Sequence, residues 1–298
     1  MGCDASVQGR SRRVLIMSER ENRVITTLDP AEYHGLERLS SGGVKQMLRS
    51  PAHYRQWKDT PTIPSPAMQF GSAVHCMVLE PHKVEQVIAV MPDDAPDKRS
   101  NSGKAWHAEF ALNCAGKVVL SAEDNARAER TARAIIESPG FRIIGAGNFE
   151  TSLLWRDPHS NVLCKARPDF FASDGAICVD LKTCTDASRE AFKRQLWNLR
   201  YDIQAAFYLE GMFAGLGVLP HSFVWAVVET ELPHGVAWYR IGHGALEIAR
   251  ADITNAMFAY AECVASDRWP SYAADIQEIS LPPWARARTG NGTQPQEF

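Results

Sequence analysis

Two acids and a lysine fall close together in this chain: Arg167-Pro168-Asp169 is followed eleven residues later by Asp180-Leu181-Lys182. Carboxylates from two neighbouring strands, with an ammonium beside them, can hold a divalent metal and activate a water. That is the chemical minimum for hydrolysing a phosphodiester bond. Alternation with a period of two puts Ile177, Val179 and Leu181 on one face of a strand over 176–183, and Cys178, Asp180 and Lys182 on the other. On the preceding segment the same rule aligns Lys165, Arg167 and Asp169. Pro168 lacks an N–H, so that strand lies at an edge or is ending there. A hairpin through Ser173-Asp174-Gly175 would bring Asp169 to Asp180. Two carboxylates at one point repel unless a proton or a cation joins them. Hard oxygen ligands with room for water favour Mg²⁺ or Mn²⁺ over zinc. Taken alone, D-x-K is equally an exposed ion pair on a surface hairpin. The apolar run around it argues for a buried strand, where charges seldom occur without partners or function.

His75 follows Gly71-Ser72-Ala73-Val74 in a helical pattern. A lone helical histidine is more often a satisfied structural residue, but small Gly71 and Ala73 permit close approach, and a neutral imidazole could complete a metal's ligands. Gln204 and Tyr208 are four residues apart, on one helix face; a core tyrosine with an incidental glutamine explains them equally well. Glu150 opens a strand and could add a carboxylate, although a solvent-facing strand end is the stronger reading. Cys164, Cys178 and Cys184 lack metal-cluster spacing and read as small apolar fillers. There is no P-loop, G-x-S-x-G elbow or H-E-x-x-H helix.

These residues need a scaffold of changing period. Ser40-Ser41 precedes a helix with Val44, Met47 and Leu48 that Pro51 ends, and a short turn follows through His53, Tyr54 and Trp57. The segment 61–66 is a Pro-rich loop, 68–80 a helix stopped by Pro81, and 101–114 ambiguous but helix-compatible. Ser121 caps a helix reaching 138. Strands are then expected over 149–155, 162–171 and 176–183, helices over 188–198 and 201–213, a strand pair over 222–229 and 235–241, and a last helix over 244–266. This is an α/β (α+β) arrangement: a central mixed β-sheet flanked by helices. Residues 1–30 read as a flexible polar leader in which Met17 offers an alternative start, 31–284 as one domain, and 285–298 as a disordered tail.

With 298 residues, 45% of them hydrophobic, the chain can bury a sizeable core. No apolar run approaches the roughly 20 residues of a membrane span, and no secretory signal is visible. Seven scattered cysteines without a CxxC pair fit a reduced, cytoplasmic setting better than a disulfide framework. A net charge of −3 excludes a globally basic nucleic-acid coat protein. It leaves room for a DNA enzyme with local positive potential.

Gly71-x-x-x-His75, Arg167-Pro168-Asp169, Asp180-x-Lys182 and Gln204-x-x-x-Tyr208, in that order, resemble the PD-(D/E)XK nuclease superfamily. The resemblance is to the branch of RecB nuclease domains and phage-type exonucleases. Ser40-Ser41-Gly42-Gly43-Val44-Lys45-Gln46-Met47-Leu48, Ser50-Pro51-Ala52-His53-Tyr54, Phe70 to His75 and Leu281-Pro282-Pro283-Trp284 are similar to RecE-type (exodeoxyribonuclease VIII) nuclease domains. The resemblance covers about residues 38–284 and implies a restriction-endonuclease-like core. It further implies that His75, Asp169 and Asp180 bind Mg²⁺ (Mn²⁺ substituting), with the Leu181 carbonyl as a further ligand. Lys182 would orient or deprotonate the attacking water, and Gln204 and Tyr208 would support the lysine or the scissile phosphate. Glu150 has no secure counterpart and ranks last, while Lys165 or Arg167 would hold the duplex backbone. The four-cysteine iron–sulfur arrangement of related branches is missing, so no cluster is expected. The implied activity is a 5′-to-3′ exonuclease on linear double-stranded DNA. It would leave 3′ single-stranded tails for an annealing protein, and would act in phage or prophage recombination as a homo-oligomer, a tetrameric ring by analogy. A repair endonuclease and a catalytically silent DNA-binding module on the same fold are the rivals.

Overall fold

The computed structural model describes residues 22–25, 28–61 and 63–281. Met17, residues 282–284 and the expected tail lie outside them.

Serines open most of the helices. Ser40 accepts from the Gly43 amide to start α2 (Ser41–Arg49), and Ser50 from His53 to start α3 (Pro51–Asp59). Pro51 therefore ends one helix and begins the next, since a first-turn proline sacrifices no hydrogen bond. Ser65 caps α4 (Pro66–Leu79). A short α5 (Val84–Val87) leads to β2 (Ile88–Met91), then α6 (Asn101–Asn113), β3 (Val118–Ser121) and α7 (Ala122–Glu137), which Ser121 caps through Asp124. β2 and β3 form a small parallel sheet that alternation did not reveal. Ahead of α2 lie β1 (Arg23–Ile25) and α1 (Pro30–Gly35). Part of the expected polar leader is thus built into the fold, with Asp29 capping α1.

The expected strands over 149–155 and 162–171 each prove to be two. They divide into β4 (Gly147–Phe149), β5 (Ser152–Arg156), β6 (Leu163–Ala166) and β7 (Phe170–Ala172). β5 and β6 join β1 in an antiparallel three-stranded sheet. β4 and β7 join β8 (Ile177–Cys184), β9 (Ser222–Glu229) and β10 (Val236–Arg240) in a five-stranded sheet ordered β10-β9-β8-β7-β4. Two breaks make the division. Glu150 adopts a left-handed φ of 44°, and the Arg167-Pro168-Asp169 segment leaves the ladder. The breaks are neighbours, for the Glu150 amide donates to the Asp169 carbonyl at 3.1 Å.

β8 and β9 run parallel, and α8 (Arg189–Asn198) and α9 (Tyr201–Leu216) make the crossover between them. The large sheet is mixed, since its other pairings are antiparallel. One apolar cluster sets Val179 and Leu181 of β8 against α4 and α7. The other packs Cys178 with α2, α9 and α10 (His243–Ser266). The expected alternation of β8 is what the fold uses. No helix among the described residues is long and apolar enough to cross a membrane.

Candidate metal centre and catalytic cleft

α4 approaches β8 closely at Gly71, where even a methyl group would meet Thr183 Oγ1 at 3.3 Å. One turn on, His75 Nε2 lies 2.8 Å from the Leu181 carbonyl oxygen. A carbonyl can only accept, so Nε2 carries the proton, and in the neutral ring Nδ1 keeps its lone pair. Nδ1 faces Asp169 Oδ2 at 3.4 Å, and that oxygen also accepts from the Leu181 amide at 2.7 Å. Glu150 completes the group: one ligand atom each from His75, Glu150 and Asp169 lie within 4.8 Å of one another. Glu150 is thus a member of the centre rather than a solvent-facing strand end. Its left-handed backbone, at the switch between sheets, turns the chain there.

This group is short of positive charge. Burial first, and then the Asp169 carboxylate, push the Glu150 carboxyl up to about 8. Burial and Asp180 raise Asp169 to about 6. Two carboxyls this close, one buried and one half-buried, repel unless protons or a cation intervene. The donor set of one nitrogen and carboxylate oxygens fits a hard divalent ion. The Leu181 carbonyl, expected as a ligand, is engaged by His75.

Asp180, 1% exposed, stands beside this group and not within it. Its Oδ1 accepts from Gln204 Nε2 at 2.8 Å, and the Lys182 ammonium lies 2.5 Å from Oδ2 as an ion pair. Gln204 Nε2 also donates to the Tyr208 hydroxyl at 3.2 Å, so the pair four apart on α9 does converge on β8. Burial would lower the Lys182 pKa, but the Asp180 and Asp169 carboxylates outweigh it and raise it. Lys182 is therefore an ammonium. Burial lifts the Tyr208 phenol well above its usual range, so it stays protonated.

The two residues expected to hold phosphates are committed within the fold. Lys165, 7% exposed, donates to the carbonyls of Tyr33, His34 and Leu36, closing the end of α1. Arg167 donates to Ser152 Oγ and the Leu28 carbonyl and lies 4.4 Å from the Tyr33 ring centroid. Both border the cleft, and these hydrogen bonds fasten α1 and Leu28 to the strands beside the break. Sequence reasoning did not single out Tyr33 and Tyr201, which line the cleft, or Lys45, whose ammonium lies on the Tyr201 ring. Lys45 falls four residues after buried Ser41 on α2, and that i, i+4 spacing was the available signal.

His75, Glu150, Lys182, Tyr201 and Tyr208 all open onto one cleft of about 1230 Å³. This is ample for a nucleotide-sized ligand.

No curated protein matches this chain. Among solved structures, one from Eubacterium rectale described as a putative exonuclease aligns over 91% of this chain and 96% of its own. Its identity is 14% and its TM-score 0.59, which establishes likeness of fold. A second, SSO0001, aligns over 72% of this chain and 85% of its own at 13% identity, with a TM-score of 0.27, too low to carry an argument. Residues 40–282 match the model of the PDDEXK-like domain of unknown function DUF3799. With the sheet order, the acidic group and the Asp180–Lys182 pair already in place, the chain belongs to that PD-(D/E)XK-like family.

Proposed function

We propose that this protein is a metal-dependent nuclease that degrades linear double-stranded DNA from its ends. The observation that carries the reading is the group of His75, Glu150 and Asp169 set against the ion pair of buried Asp180 with Lys182, at one cleft onto which His75, Glu150 and Lys182 open. His75 Nδ1 and the carboxylates of Glu150 and Asp169, with Asp180 adjoining, would hold Mg²⁺, for which Mn²⁺ could substitute. Bound there, the ion would polarise a phosphoryl oxygen and lower the pKa of a water.

The chain's own residues do the rest. Lys182, kept charged by Asp180, offsets negative charge developing on the phosphoryl oxygens and orients the water rather than deprotonating it. Gln204 fixes the Asp180 carboxylate, and Tyr208 fixes Gln204. Preference for ends draws support from the exonuclease description of the E. rectale protein. The 5′-to-3′ direction, the 3′ tails handed to an annealing protein and the ring-shaped homo-oligomer draw theirs from the RecE-type resemblance of residues 40–75.

Digestion of linear duplex labelled at one end or the other, with and without Mg²⁺, tests activity, metal need and direction together. Mg²⁺-dependent release from the 5′ label first is expected, with covalently closed circles left intact. Cutting of closed circles would replace the exonuclease with an endonuclease. No cleavage with either metal would remove the nuclease reading.

A further inference from the structure

Most cations around the cleft already have partners. Lys182 pairs with Asp180, Lys165 with three carbonyls, Arg167 with Ser152 and Leu28, and Arg200 with Asp202 and Asp252. Lys45 does not. Its ammonium lies 5.3 Å from the centroid of the Tyr201 ring, and among the described residues no oxygen accepts from it or pairs with it. The same ring carries the Lys182 ammonium at 4.8 Å. Both distances are within cation–π range.

Two like charges on one aromatic ring are an arrangement that stability alone would not select. Burial and the Lys182 ammonium push the Lys45 pKa down to about 8, outweighing the opposite pull of the Asp180 and Asp202 carboxylates. A hydrophobic side chain at this half-buried place on α2 would remove that cost. Tyr201 opens onto the cleft, as does Ser41, one turn before Lys45 on the same helix. The missing partner is therefore an anion arriving from the cleft.

We propose that Lys45 is a second phosphate-binding cation of the cleft, held on the Tyr201 ring beside Lys182 to receive a non-bridging oxygen of a substrate phosphodiester. Tyr201 is then a positioning residue that sets both ammonium groups through its ring face and not its hydroxyl. This rests on the nuclease reading, and the test separates the two.

Cleavage of end-labelled linear duplex in Mg²⁺ is measured for the wild type, Lys45→Met, Lys45→Arg, Tyr201→Phe and Tyr201→Leu over a series of salt concentrations. Lys45→Met should raise KM about 10-fold with a smaller change in kcat. It should also make log(kcat/KM) less steep in log salt by about 0.9, the signature of one lost phosphate contact. Its Tm should equal or exceed that of the wild type, because an apolar side chain replaces a charge without a partner. Lys45→Arg and Tyr201→Phe should stay close to wild type, and Tyr201→Leu should follow Lys45→Met. An active wild type beside a Lys45→Met with unchanged KM and salt slope overturns the proposal and leaves the nuclease reading standing. A lowered Tm with unchanged KM does the same, by making Lys45 structural. A wild type inert on DNA with Mg²⁺ and Mn²⁺ takes down the nuclease reading, and this proposal with it.

Discussion

Asp180 and Lys182 make the heaviest local demands on the fold, because a carboxylate at 1% exposure is tolerable only while its partners stay in place. Removing one member of a buried pair strands the other, typically at about 3–5 kcal/mol, whereas replacing both by apolar groups is often neutral. Lys182 is partly exposed, so Asp180→Ala is expected to cost about 3 kcal/mol in urea denaturation. Asp180→Leu combined with Lys182→Met should recover most of that while Mg²⁺-dependent cleavage stays down by about 10²-fold or more. A double variant that regained both stability and cleavage would place the chemistry elsewhere.

Glu150 and Asp169 carry the pH dependence. Both carboxyls are raised on folding, to about 8 and about 6. Their contribution to stability is therefore fully present below about pH 4 and is lost as pH rises through 6 and then 8. A cation competes with those same protons. Metal-free protein should accordingly melt at falling temperature from pH 5 to 8.5, and the rise in Tm on adding Mn²⁺ should be larger at pH 8.5 than at 5.5. Glu150→Gln should flatten the upper part of the metal-free profile and shrink the Mn²⁺ effect. Equal Mn²⁺ shifts at both pH values would detach these carboxyls from any metal.

At the scale of elements, what was legible was periodic. The face of β8 bearing Asp180 and Lys182, the serine caps of α2 and α7, and the i, i+4 alignment of Gln204 and Tyr208 all follow from spacing within one segment. The strand switches were not legible. Alternation continues across Glu150 and across Pro168 and does not report that the chain has changed sheets, which depends on pairing with distant strands. The place of Glu150 beside His75 and Asp169 is hidden for that reason: it is made by the switch and by its bond to Asp169. Nor can spacing show that carbonyls of α1 and Leu28 claim the donors of Lys165 and Arg167.

The switch can be tested at Gly147, which opens β4. A Cβ there would lie 2.3 Å from the Phe170 ring and 2.4 Å from the Phe171 carbonyl oxygen, and backbone cannot yield cheaply. Gly147→Ala should destabilise by about 1–3 kcal/mol or more through overpacking. By pushing β4 off β7 it should also carry Glu150 away and reduce the Mn²⁺-induced Tm rise. Gly145→Ala, two residues earlier with open space around it, should do neither. A normal Mn²⁺ response in folded Gly147→Ala would separate the metal group from the β4–β7 pairing.

For the whole molecule, the question the proposed function raises is how a chain with 35 acidic and 32 basic side chains would keep hold of DNA. With Lys165, Arg167 and Arg200 engaged internally, and Arg38 and Lys58 of the cleft wall also partnered, few cations of the described residues are left to meet a phosphate, chiefly Lys182 and, on the Tyr201 ring, Lys45. Each phosphate contact contributes a salt slope of about −0.9, so two or three contacts give a shallow dependence and weak binding at physiological salt. For the proposed nuclease, retention on a long duplex would have to come from something other than electrostatic grip, and the proposed closed homo-oligomer around the DNA would supply it, because symmetry multiplies the contacts and enclosure prevents escape. The expected outcome is an assembled species in sedimentation equilibrium over the concentrations at which linear duplex is degraded processively, with cleavage turning distributive as dilution dissociates it. Salt should weaken initial engagement with an end more than it shortens runs already begun. A protein that sediments as a monomer while degrading thousands of nucleotides per encounter would rule out enclosure and require a larger positive surface than the cleft provides.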